Sequence, residues 1–189
     1  MFIDYLTLML TNLVVALVLF ALFIGKLIDK EPKKVVPGFL LTGFVALMTG
    51  FRMIFTWPLP GPYNFPYGEM SVFYGGFFFM AGLAIVFGWD LITVGIYAFF
   101  AGIASAIIGV RILNLNLTSE PLLAAGGFVL TGLSSILTLP ALFFKKARLL
   151  RIILAVLLLV CAVIWAFTGY AAYWAHFDAF AKWAPATMK

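Results

Sequence analysis

Six apolar stretches, each long enough to cross a bilayer as a helix, govern what this chain can fold into. They fall at about 5–25, 36–56, 70–88, 91–112, 121–144 and 150–173. A ~30 Å hydrocarbon core needs about 20 consecutive apolar residues in helical form. None of the stretches alternates apolar with polar residues, as a membrane barrel strand would. In lipid each backbone N–H and C=O must be bonded within the protein, and a helix does this within one segment. With 65% hydrophobic and 10% charged residues, against about 25% charged in soluble domains, the chain needs lipid as its solvent. Residues 1–189 therefore read as a single all-α integral membrane domain of six transmembrane helices.

Orientation follows from the basic residues. Lys26, Lys30, Lys33 and Lys34 precede the second stretch, and Lys145, Lys146, Arg148 and Arg151 lie between the fifth and sixth. Only Arg52, Arg111, Lys182 and Lys189 fall on the other side. Eight against four predicts that the lysine-rich end faces the cytoplasm and that both termini lie outside. The net charge of +5 then reflects topology and contact with anionic lipid, and nucleic acid is not an expected partner. The first stretch lacks a basic leader and a small-residue cleavage site, so it is expected to remain as a helix.

Two segments of the chain echo each other. Gly43-Phe-Val-Ala-Leu-Met-Thr-Gly50-Phe-Arg52 is matched by Gly102-Ile-Ala-Ser-Ala-Ile-Ile-Gly109-Val-Arg111. Glu69 followed by Gly75-Gly76-Phe77 is matched by Glu120 followed by Gly126-Gly127-Phe128. The arginines are 59 residues apart and the glutamates 51, which predicts a 2–3 connection eight residues longer than the 4–5 connection. The pattern predicts a parallel internal repeat of helix pairs 2–3 and 4–5. Glycines seven apart fall on one helical face, so Gly43/Gly50 and Gly95/Gly102/Gly109 are expected to be packing seams.

Arg52 and Arg111 are expected to close helices 2 and 4, and Glu69 and Glu120 to open helices 3 and 5. Such placement suits the helix macrodipole. Two arrangements follow: an ion-pair quartet pinning the outer ends, or a charged outer mouth. Thr42, Thr49 and Thr56 share a face of helix 2, as Thr131, Ser134 and Thr138 do on helix 5. These hydroxyls suit the lining of a narrow solute path, narrowed by Phe73, Phe77 and Phe128. They equally suit bonds back to carbonyls one turn earlier. The proline-rich segment Thr56–Gly68 reads as a stiff outer cap or lid, with Trp57, Tyr63 and Tyr67 in the aromatic belt. Residues 175–183 read as an interfacial helix on the outer surface.

Cys161 and His176 each stand alone, so a disulfide, a thiolate cluster and a bis-histidine haem are excluded within one chain. No phosphate-binding loop, nucleophile elbow or zinc-protease motif occurs. No catalytic residue, metal ligand or cofactor is expected, and the chain is not expected to be an enzyme.

Leu40-Leu-Thr-Gly43 through Thr56-Trp-Pro-Leu-Pro-Gly61, and Trp89-Asp-Leu-Ile-Thr-Val-Gly95 through Glu120-Pro-Leu-Leu, resemble the uncharacterised prokaryotic membrane family known as domain of unknown function 981. More distantly, Phe73-Tyr-Gly-Gly76 with Ala81-Gly-Leu83 is similar to a helix-3 motif of the acetate-uptake family. Gly88-Trp-Asp90 with Gly95-Ile-Tyr97, and Lys26-Leu-Ile-Asp29-Lys30, are similar to segments of the urea and amide channels. The chain departs from those channels in having no tryptophan in helix 5 and no acidic residue inside helix 6. The resemblance implies a pore enclosed by each protomer of a homo-oligomeric ring in a prokaryotic plasma membrane. The expected function is a channel or facilitator for a small neutral or weakly acidic solute, with Arg52, Glu69, Arg111 and Glu120 at the outer mouth. The alternative is a non-transporting scaffold or accessory subunit.

Overall fold

The computed structural model describes residues 5–27, 31–144 and 146–181. Six helices carry these residues: α1 (Tyr5–Ile24), α2 (Val36–Thr56), α3 (Asn64–Phe87), α4 (Ile92–Asn114), α5 (Pro121–Phe143) and α6 (Arg148–Phe180). All six are long and apolar enough to cross a membrane, and no strand occurs among the described residues.

The ends of these helices follow local chemistry. Pro121 occupies the first turn of α5, where its missing N–H has no helical acceptor to lose. Gly88 closes α3 in the left-handed region at φ 72°, and the amide of Trp89 reaches back to the Ala84 carbonyl at 2.8 Å. A residue with a Cβ is disfavoured in that geometry. Asp90 accepts from the amide of Ile92 at 2.8 Å, so it holds the first residue of α4 across the turn.

Two boundaries differ from expectation. α3 begins at Asn64, because Pro66 fits in its first turn, so the outer connection is only Trp57–Tyr63. α6 runs unbroken to Phe180, and the expected surface helix is its continuation as far as the described residues extend. At about 1.5 Å per residue its 33 residues reach roughly 50 Å, well beyond a ~30 Å core.

Each helix packs on its neighbours in chain order, and α6 returns to α1, so the six form a closed ring. α1 and α6 run antiparallel: a Cβ on Gly169 would lie 3.3 Å from Leu10, and one on Gly25 would lie 3.2 Å from Ala155. The tightest seams are α2 on α3 and α4 on α5. A Cβ on Gly43 would strike the backbone of Phe79 and Gly75, and one on Gly50 the backbone of Gly68 and Val72. A Cβ on Gly102 would strike the backbone of Gly132 and Ile136, and one on Gly109 that of Ala125 and Val129. The glycine lines are thus places where backbones touch, as small residues permit in membrane helices.

These contacts allow the two seams to be compared position by position. Gly43 and Gly50 correspond to Gly102 and Gly109, 59 residues on; Gly68 and Gly75 correspond to Ala125 and Gly132, 57 residues on. Arg52 and Arg111 share the offset of 59, but the glutamate offset of 51 is wrong for the packing. The residue 57 positions beyond Glu69 is Gly126. The two Gly-Gly pairs also meet different partners, Tyr97 at Gly76 and Trp165 at Gly127. Seven residues join α2 to α3 and six join α4 to α5, a difference of one where eight was expected.

Candidate functional site

A cavity of about 40 Å³ lies within the ring, and all six helices contribute to its wall. Asn12 and Leu13 face it from α1, Thr42 and Ala46 from α2, and Ser105 from α4. Tyr67, Ser71, Tyr74 and Phe78 line it from α3 at steps of four, three and four, which is one helical face. Phe128 and Thr131 of α5 and Trp165 of α6 complete the wall. No charged side chain lines it. It occupies the middle of the bundle and the half nearer the Trp57–Tyr63 connection.

Aromatic packing closes the lysine-rich half. Phe20, Phe39, Phe77 and Phe78 stack edge to face, with ring centres 5.3 Å apart for Phe20–Phe77 and 5.0 Å for Phe77–Phe78. Phe39 sits 5.6 Å from Phe78, which is also a cavity wall residue, so this plug is the floor of the cavity. Such pairs add about 0.5–1.5 kcal/mol each beyond their burial.

At the other end the cap is tied to the bundle. Asn64 is fully buried, accepts from the amide of Leu59 at 2.9 Å and donates back to the Leu59 carbonyl. The Tyr63 hydroxyl accepts from the Thr118 amide at 3.3 Å, joining the two connections at this end. Thr118 itself has φ 72°, and its buried hydroxyl has no partner among the described residues.

The polar groups around the cavity divide in two. Trp165 Nε1 donates to Thr131 Oγ1 at 2.9 Å, and Ser135 donates to the Tyr74 hydroxyl at 3.3 Å. Ser105 donates to the Phe128 carbonyl at 2.8 Å, and Thr42 to the Gly38 carbonyl at 2.8 Å. Asn12 Nδ2 donates to the Thr42 carbonyl at 2.8 Å, pinning α1 to α2. By contrast, the Tyr67 and Ser71 hydroxyls and the Asn12 side-chain oxygen have no hydrogen-bond partner among the described residues.

Of the predicted lining residues, Thr42, Phe128 and Thr131 reach the cavity. The other four do not line it. Thr49 bonds back to the Val45 carbonyl at 2.8 Å. Ser134 bonds back to the Leu130 carbonyl and lies 3.8 Å from the Cys161 sulfur. Phe77 belongs to the plug, and Phe73 packs on Tyr97 at the α3–α4 contact. Hydroxyl spacing alone does not separate lining residues from those bonding to their own helix.

The four charges do not form a quartet. Arg52 is exposed and its Nε donates to the Tyr5 hydroxyl at 3.2 Å. No ion pair joins Arg52, Glu69, Arg111 and Glu120 among the described residues, where Lys34–Glu31 at 3.8 Å is an ion pair. Glu69 lies in the second turn of α3, while Glu120 directly precedes α5 without a side-chain cap bond. Tyr67 is corrected as well: it is 8% exposed and faces the cavity instead of the interfacial belt. The face Tyr67-Ser71-Tyr74-Phe78 was legible as a polar-aromatic stripe, but an apolar helix gives little reason to pick it out.

The fold and its charge-free interior define a multi-pass membrane protein with a cavity enclosed by a ring of six helices. A family model described as "Protein of unknown function (DUF981)" matches residues 1–179, and the chain belongs to that family. No curated protein and no solved structure matches it.

Proposed function

We propose that this protein is a channel or facilitator for a small neutral or weakly acidic solute, with its path inside each six-helix ring. The observation that carries this is a cavity lined by residues of all six helices and by no charged side chain. An ion entering such a space would lose hydration that the wall does not replace, whereas a neutral solute would not. The aromatic floor makes the present arrangement a closed one, and passage requires Phe20, Phe77 and Phe78 to repack. In this proposal the lysine-rich end faces the cytoplasm, both termini lie outside, and helix pairs 2–3 and 4–5 are parallel copies. Identical rings assemble side by side in a prokaryotic plasma membrane, and no catalysis is involved. The exposed Arg52 and Arg111 rim the outer mouth.

Purified protein in liposomes tests this by stopped-flow solute flux. Flux above empty vesicles is expected for at least one of urea, formamide, acetic acid, ammonia or water, and Phe77→Ala is expected to raise it. The plug and the closed glycine seams favour a second reading, a non-transporting scaffold. Absence of flux in both the wild type and Phe77→Ala would leave that one standing.

A further inference from the structure

The unpartnered polar groups of the cavity lie together. Tyr67 and Ser71 are one turn apart on α3, and both line the cavity with Asn12 of α1. Tyr67 is 8% exposed, yet its hydroxyl has no partner among the described residues. A hydroxyl or amide oxygen that faces a cavity without a protein partner keeps its hydrogen-bonding capacity for whatever enters that space. Buried Tyr67 and half-buried Ser71 and Asn12 thus present this capacity to one and the same space. The two hydroxyls can donate to an acceptor, and the Asn12 oxygen can accept from a donor.

We infer that Tyr67, Ser71 and Asn12 form a binding station for one small uncharged molecule carrying both an acceptor oxygen and an N–H or O–H donor. The inference rests on the passage proposed above and names the class of solute it selects. Size follows from the volume. The space of about 40 Å³ exceeds the roughly 10–15 Å³ that one water needs, so it admits a small molecule. The wall offers no charge to replace an ion's hydration, and Phe78 and Trp165, which Thr131 holds in place, bound the space.

Formamide is a probe of this size, and Trp165 is a reporter built into the wall. The full chain in lipid nanodiscs is titrated with formamide while the indole N–H resonances are followed, Trp165 being assigned with Trp165→Phe. The expected result is a saturable shift of Trp165. Tyr67→Phe and Ser71→Ala are each expected to weaken binding roughly three- to ten-fold, the loss of one hydrogen bond. Formate, similar in size but charged, is expected to give no saturable shift. Ser71→Ala removes one oxygen and keeps the test open if Tyr67→Phe fails to fold. A shift with xenon and none with formamide would make the cavity a dry apolar void and overturn the station, as would linear, unsaturable shifts. Saturable binding without liposome flux would retain the station and remove the passage; flux without saturable binding would do the reverse.

Discussion

Gly102→Ala places a single methyl group where two backbones meet. Its Cβ would lie 2.6 Å from the Gly132 carbonyl oxygen and 2.9 Å from the Ile136 amide, whereas ordinary contact begins at 3.4 Å. The shortfalls of about 0.8 Å and 0.5 Å are both against backbone, so no rotamer change relieves them. α4 and α5 must separate by a comparable amount at their crossing. A gap of about 0.5–1 Å forfeits a quarter to a half of each van der Waals contact it opens, and over-packing of this kind costs about 1–3 kcal/mol. Gly126→Ala is the paired control, because nothing lies within 4 Å of its Cβ. There the helix-propensity gain of up to about 1 kcal/mol is the only term. Titration with SDS in mixed micelles, read by helical circular dichroism, compares the two. The midpoint of Gly102→Ala should fall by the equivalent of about 1–3 kcal/mol, while Gly126→Ala should match or exceed the wild type. Equal midpoints for the two variants would refute the claim that backbone contact at the seams holds the pairs together. Ser105, three residues beyond Gly102, lines the cavity, so the same separation should also disturb the cavity wall.

Three further outcomes are expected. Asn64→Ala should cost about 1–3 kcal/mol by freeing both Leu59 backbone groups, and should speed protease cleavage between Trp57 and Tyr63, read on gels. Arg52→Ala should change stability by no more than about 0.5 kcal/mol, since Arg52 is exposed and among the described residues its side chain bonds only Tyr5; a loss well above that in the same SDS titration would restore the ion-pair quartet. In intact cells, membrane-impermeant maleimide should label a cysteine placed at Thr56 and not one at Lys33. The opposite pattern would reverse the topology.

The sequence alone determined the number of helices, their approximate bounds and the glycine faces on which they meet. Hydrophobic length and the seven-residue glycine spacing are local properties, and lipid demands that each span satisfy its own backbone. Tyr67 and the glutamates were decided elsewhere. A residue of an apolar helix can face lipid or a neighbour with little difference in apolar environment, because lipid tails are as apolar as leucine. The sequence pattern therefore did not say which face of α3 turns inward. Matching identical letters paired Glu69 with Glu120, but when the two seams are compared at their backbone contacts, Gly75 with Gly132, the position matching Glu69 is Gly126. The cavity exists only in the closed ring, since its wall draws single residues such as Ser105 and Trp165 from helices far apart in the chain.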